Sequence, residues 1–159
     1  MKKSIFTVLL GASLIALVAG CSQQKEEVAA SDINVGIILG FTGPIESLTP
    51  TMASSAELAF KEATDAGILN GSTLNPVRAD STCIDAAAAT SAAERLVTAD
   101  NVAAIMGADC SGVTTAIANN VAVPNGVTII SPSATSPALT TIEDKGFFFR
   151  TAPSDARQG

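Results

Sequence analysis

Four short apolar or β-branched runs alternate with helical patterns along this chain, and this alternation constrains the fold more than any other feature. The runs lie at residues 33–41, 74–81, 102–106 and 127–130. Between them, apolar residues recur at helical spacing in three segments. Such alternation with short connections produces right-handed βαβ units and a parallel sheet. The sequence therefore predicts an α/β fold in which helices flank a parallel, Rossmann-like sheet.

The predicted helices carry recognisable ends. Thr49 precedes Pro50, a pattern in which the hydroxyl caps the helix and proline takes the first helical position. Asp85 is expected to cap an alanine-rich second helix, and the third helix is expected to stop before Pro124.

The first twenty residues are predicted to be a lipoprotein signal peptide outside the fold. Lys2 and Lys3 precede an apolar segment, residues 5–19, that is too short and too weakly flanked to span a membrane. The segment ends in Leu-Val-Ala-Gly-Cys, which resembles a bacterial lipobox, so Cys21 is the expected lipidated residue. An ordinary secretory signal is the alternative. Residues 21–32 are polar and aperiodic, which predicts a flexible tether, and a serine after Cys21 slightly favours the outer membrane.

Charge and residue types exclude several functions. The formal net charge is −6, and it is −8 without Lys2 and Lys3, which argues against nucleic acid as a partner. The chain has no histidine, the usual general base and commonest metal ligand. Once Cys21 is assigned to lipid, two cysteines remain, Cys83 and Cys110. In an exported protein such a pair favours a disulfide over a metal site.

Three loops at the carboxyl ends of the predicted strands could form a ligand site, at residues 43–48, 108–112 and 131–135. Ser111 and Gly112 lie where the third helix begins, an arrangement suited to a ligand carboxylate, although Ser111 could equally be a plain N-cap. Asp109 could face a ligand amine, but an exposed loop aspartate is the commoner case. The glycines of the first run do not have dinucleotide-loop spacing, so nucleotide binding is not expected.

Several segments together resemble a known family. These are the Thr-Gly-Pro turn after the first run, Cys-Ser after the third, SPSATSPALT after the fourth, and FRTAPSDARQG at the end. They are similar to the periplasmic binding proteins of the leucine/isoleucine/valine type. The resemblance implies a type I fold of two α/β lobes with the ligand between them. It also implies delivery of an amino acid to an ABC permease and its ATPase, without a cofactor.

The resemblance further implies roles for individual residues. The serine hydroxyl for the ligand carboxylate falls on Ser111, beside Gly112, and the carbonyl for the ligand amine falls on Ser133. A threonine that uses both its amide and its hydroxyl falls on Thr135, next to Ala134. The lobe-one disulfide of the family falls on Cys83 and Cys110. Leu48 departs from the aromatic residue of leucine-type members, so side-chain preference does not follow.

The resemblance also sets the domain expectation. Residues 33–159 are expected to be the amino-terminal lobe, with the second lobe missing, because residues 147–151 resemble the first hinge strand and the chain then ends. A ligand-sensing receptor domain with the same fold is the second hypothesis. A hydrolase is the third, weakened by the absence of histidine and of a G-x-S-x-G motif.

Overall fold

The computed structural model describes residues 30–157, which form a parallel sheet of five strands flanked by helices. The strand order is β2-β1-β3-β4-β5, so β1 and β3 lie side by side in the interior of the sheet. This arrangement confirms the predicted α/β class. The strands are β1 Asp32–Leu39, β2 Thr73–Asp80, β3 Ala104–Gly107, β4 Thr128–Ser131 and β5 Phe148–Arg150. The α-helices are α1 Thr49–Asp65, α2 Ala86–Thr98 and α3 Ser111–Ile117.

The two faces of the sheet have separate apolar cores. On one face, α2 and α3 cover a large cluster that includes Leu96, Ile105, Ile117 and Ile129, each at most 1% exposed. On the other face, α1 covers a smaller cluster around Ile37, together with Leu39 and Ala53. Because β1 is buried on both faces from Val35 to Leu39, that part of its sequence is continuously apolar rather than alternating.

The helix ends follow the sequence prediction only in part. The Asp85 carboxylate caps α2 by accepting the backbone N–H groups of Ala87 and Ala88, as predicted. The predicted Thr49 cap is wrong, because Thr49 lies inside α1 and its hydroxyl donates to the Gly40 carbonyl. That contact ties the start of α1 to the end of β1.

The third helix differs from the single helix that the sequence predicts. It is α-helical only over Ser111–Ile117 and continues as a π-helical turn over Ala118–Ala122. In that turn the Val123 N–H donates to the Ala118 carbonyl, five residues back. Pro124 has no N–H to donate, so the α-helical pattern cannot continue through it.

Strand β5 lies within residues 147–151, which the family resemblance identifies as a hinge strand, although the strand–helix alternation predicts only four strands. It pairs in parallel with β4, placing Phe149 beside Ile130 and Arg150 beside Ser131. Ile130 and Phe149 lie on the α1 side of the sheet, and they are 40% and 51% exposed. The opposite face of β5 contributes Phe148 to the large core and brings Arg150 close to the loop after β4.

Strand β1 begins at Asp32, the last residue of the predicted tether. The predicted signal peptide, most of the tether and Cys21 lie outside the described residues. Within residues 30–157, no helix combines the length and apolar character needed to cross a membrane.

Candidate functional site

The loops after β1, β2 and β3 converge on one buried carboxylate, that of Asp109. One carboxylate oxygen accepts the Gly40 N–H at 2.8 Å, and the other accepts the Cys110 N–H at 2.9 Å and lies 3.4 Å from the Ser81 hydroxyl. Asp109 is only 5% exposed, so the expectation of an exposed loop aspartate is wrong. All of these contacts are internal, and they fix three strand ends relative to one another.

A disulfide joins the same region. Cys83, in the loop after β2, is bonded to Cys110, the residue that precedes α3, with their Cα atoms 5.2 Å apart. The structure therefore contains the disulfide that the resemblance implied. It fixes the start of α3 against the loop between β2 and α2.

Asp80 braces the loop after β1. Its carboxylate accepts the Thr42 hydroxyl at 2.6 Å and the backbone N–H groups of Thr42 and Thr82 at 3.3 and 2.8 Å. Burial by itself raises the pKa of Asp80, but these hydrogen bonds outweigh it and hold the pKa below its ordinary value. The ionised carboxylate is therefore the form that the fold stabilises.

Glycine is required at position 107, at the end of β3, because the backbones of β1 and β3 approach each other closely there. Its φ is +130°, and a Cβ built there would lie 1.9 Å from the carbonyl oxygen of Ile38 in β1. No side chain fits in that space. This contact brings the ends of β1 and β3 together directly beneath the loop that carries Asp109 and Ser111.

Ser111 is the first residue of α3, and it is not the N-cap. The N-cap is Cys110, and the Ser111 hydroxyl oxygen instead accepts the N–H groups of Thr135 and Ser136 at 3.2 and 3.1 Å. The alternative of a plain N-cap is therefore wrong. Gly112 follows it on the exposed surface, with no atom within 4 Å of where a Cβ would be.

The loop after β4 is held from the β3 side by short hydroxyl contacts. The fully buried Ser131 hydroxyl donates to the Ala108 carbonyl and accepts the Ala134 N–H at 3.0 Å. The Ser133 hydroxyl donates to the Asp109 carbonyl at 3.0 Å. Ala134 is 1% exposed and packs into the large core, which leaves its neighbours Ser133 and Thr135 toward solvent.

Thr135 uses only its backbone within the described residues. Its N–H donates to Ser111, and its carbonyl accepts the Asp155 N–H at 2.9 Å. Its hydroxyl forms no hydrogen bond with residues 30–157, and the Ser133 carbonyl likewise accepts none from them. A hydroxyl and a carbonyl thus remain available for an external group.

The segment that includes and follows β5 holds the other side of this loop through contacts that sequence reasoning did not identify. The Thr151 hydroxyl donates to the Pro132 carbonyl at 3.1 Å, and the Thr151 N–H donates to the Ser131 carbonyl at 3.1 Å. The Arg150 guanidinium donates to the Ser136 carbonyl at 2.8 Å. Arg150 and Thr151 belong to the FRTAPSDARQG segment that carries the resemblance, but nothing local in that segment indicates these contacts.

The structure therefore brings the five predicted site residues together at one edge of the sheet. They are Ser111, Gly112, Ser133, Ala134 and Thr135. Among residues 30–157, no group of three or more His, Cys, Asp or Glu side chains could hold a metal ion. The groups that face solvent here are hydroxyls, amides and carbonyls, which can bind a polar ligand by hydrogen bonding.

The chain matches a known family over nearly all of the described residues. The model of the periplasmic binding protein family matches residues 32–159. The chain belongs to the periplasmic binding protein family. The parallel five-stranded sheet with flanking helices is that of one lobe of the type I periplasmic binding protein fold.

Individual relatives agree with the family assignment. The Leu/Ile/Val-binding protein homolog 1 of Brucella abortus is 34% identical over 161 residues, a match that covers 100% of this chain and 40% of the relative. The structure of LivJ, a branched-chain amino acid transporter substrate binding protein from Streptococcus pneumoniae in complex with isoleucine, is 31% identical with a TM-score of 0.70. That superposition covers 79% of this chain and 35% of LivJ.

A further structure, an ABC transporter substrate-binding protein from Desulfitobacterium hafniense in complex with Leu, is 28% identical with a TM-score of 0.66. It covers 79% of this chain and 36% of that protein. The chain thus spans about 40% of the length of the curated relatives it matches.

Proposed function

We propose that residues 33–159 form the amino-terminal lobe of a two-lobed solute-binding protein that captures a small amino acid for an ABC importer. The single observation that carries this proposal is the cluster of Ser111, Ser133 and Thr135 at the carboxyl edge of the sheet. Binding of isoleucine or leucine by the structural relatives supports an aliphatic amino acid as the ligand.

The geometry suits the two charged ends of an amino acid. The Ser111 oxygen already accepts two N–H groups, so its own proton is free to donate to a ligand carboxylate. The Thr135 hydroxyl is a second free donor. The Ser133 carbonyl is a free acceptor for an ammonium group. The ligand would therefore be bound and released unchanged, which is a transport role and not an enzymatic one.

The proposed setting is the periplasm, with the protein anchored to the bacterial cell envelope through lipid on Cys21 and the outer membrane slightly favoured over the inner. Its partners would be an ABC permease and its ATPase. The second hypothesis, a ligand-sensing receptor domain, uses the same site. Permease and ATPase genes beside this one would favour import, whereas a kinase gene would favour sensing.

The amino-acid site is tested by Thr135→Val in the protein expressed from its complete reading frame. Valine keeps the shape of threonine and removes only the hydroxyl, which has no partner among residues 30–157. Losing one hydrogen bond to a charged ligand should weaken binding by about one to two decades. Thr90→Val is the matched control, because the Thr90 hydroxyl bonds only to the Ala86 carbonyl of its own helix, α2.

The measurement is calorimetric titration of the three proteins with a panel of amino acids. The site is wrongly placed if the parent binds one of them and Thr135→Val binds it equally well. The ligand class is wrong if the parent binds none. In that case the panel moves to amides, short peptides and aromatic acids.

Anchoring is tested separately with Cys21→Ala and metabolic labelling with a fatty acid. We expect label on the parent and none on the variant. Label that persists on the variant would refute the assignment of Cys21.

A further inference from the structure

We propose that Arg150 is a positioning residue of the binding site: its guanidinium orients the Thr135 N–H toward the place where a ligand carboxylate binds. This inference rests on the proposed function. The guanidinium lies behind the loop after β4 and does not itself face the cluster of Ser111, Ser133 and Thr135.

The contacts of Arg150 bracket Thr135. One nitrogen, Nη1, donates to the carbonyls of Ala134 and Ser136 at 3.3 and 2.8 Å. The other, Nη2, donates to the Thr140 hydroxyl at 2.6 Å. The planar guanidinium therefore fixes two loop carbonyls and the following 3₁₀ turn in one arrangement.

Because the peptide bond is planar, fixing the Ala134 carbonyl also fixes the direction of the Thr135 N–H. In a trans peptide the carbonyl and the N–H point in opposite directions. The carbonyl of Ala134 points to Arg150, so the N–H of Thr135 points the other way, and it donates to Ser111. The same peptide thus has a cation on one side and the proposed ligand site on the other.

Charge strengthens the same donor. Within residues 30–157, the three ion pairs use Lys61, Arg78 and Arg95, and none uses Arg150. The positive charge of Arg150 therefore acts on carbonyl oxygens. Hydrogen bonds in a chain polarise one another, so a cation on the Ala134 carbonyl makes the Thr135 N–H a stronger donor.

The test compares Arg150→Met and Arg150→Lys in the protein expressed from its complete reading frame. Methionine removes the charge and every donor, and we expect amino-acid affinity to fall tenfold or more. Lysine keeps the charge but lacks the forked guanidinium donors. The amino-acid affinity of Arg150→Lys should therefore lie between that of the parent and that of Arg150→Met. Arg95→Met is the matched control, because Arg95 contacts Asp100 and the Arg78 carbonyl, away from the loop.

A second readout does not depend on any ligand. With selective ¹⁵N-threonine labelling, the amide resonance of Thr135 should shift in both Arg150 variants and stay unchanged in Arg95→Met. If Arg150→Met does not fold, Thr140→Val, which removes only the Nη2 contact, should still shift this resonance. A parent protein that binds no amino acid refutes the proposed function, while the resonance still reports on the orientation.

The proposal is overturned if Arg150→Met binds with the affinity of the parent. It is also overturned if Arg95→Met loses as much affinity, or if the Thr135 resonance is the same in every variant that folds.

Discussion

Asp109 and Asp85 each accept two backbone N–H groups, but Asp109 uses both carboxylate oxygens and Asp85 uses one. Substitution by asparagine should therefore be costly at position 109 and nearly neutral at position 85. At Asp85, one oxygen accepts both N–H groups of the first turn of α2, each at 3.0 Å. At Asp109, Gly40 donates to one oxygen at 2.8 Å and Cys110 to the other at 2.9 Å. Asparagine offers one oxygen and one NH₂ group. It can replace Asp85, but at position 109 it satisfies only one of the two donors.

The magnitude follows from what asparagine leaves unpaired. Asp109→Asn removes one hydrogen bond to a charged group, about 1.5–3 kcal/mol. The asparagine NH₂ group would also face a backbone N–H, so these two donors would both lack an acceptor. Residue 109 is only 5% exposed, so water cannot readily replace the lost acceptor. We expect the free energy of unfolding to fall by about 2–4 kcal/mol. Asp85→Asn should change it by less than about 0.5 kcal/mol, because asparagine caps helices as well as aspartate does.

The assay is equilibrium urea unfolding of the full chain, followed by circular dichroism at pH 7 without ligand. Both variants remove one negative charge, so the comparison is matched for charge. Equal losses in the two variants would refute the reasoning, since they would mean that the division of donors between the oxygens does not matter.

Three further outcomes are expected. Gly107→Ala should unfold the protein or lower its stability by about 3 kcal/mol or more, because its Cβ meets a β1 carbonyl, whereas Gly112→Ala should be nearly neutral in urea unfolding. Because folding lowers the pKa of Asp80, the contribution of its carboxylate to the free energy of unfolding is full above about pH 4 and is lost as the pH falls through the pKa of the folded state. Asp80→Asn should therefore flatten the pH dependence of the urea midpoint below about pH 4. Reduction of Cys83–Cys110 should lower the free energy of unfolding by about 3–4 kcal/mol, and two free thiols in unfolded, unreduced periplasmic protein would contradict the bond.

Sequence reasoning succeeded where the causes were local. The Asp85 cap depends on residues two and three positions away, and the strand–helix alternation depends on short runs of residues. Both can be recognised without knowing which strands are neighbours.

Sequence reasoning failed where contacts connect distant parts of the chain. The hydrogen bond from Gly40 to Asp109 spans 69 residues, so only the placement of β3 beside β1 gives that carboxylate its internal partners. Strand β5 is three residues long and ends in a charged residue, so only the family resemblance predicts a strand there, and no local pattern indicates its pairing with β4. The role of Thr49 was missed for a similar reason, because its hydroxyl bonds to a carbonyl outside its own helix.

The same long-range contacts determine how a ligand would enter the site. The loop after β4 is fixed on one side by Ser111 and on the other by Arg150 and Asp155, so little ordering of the backbone remains for binding to require. The Thr135 N–H is nevertheless already bonded to Ser111. A ligand carboxylate that takes this N–H must therefore replace the Ser111 oxygen as its acceptor, while it accepts the Ser111 proton. Binding then exchanges one hydrogen bond for two, and the gain comes from the negative charge of the new acceptor.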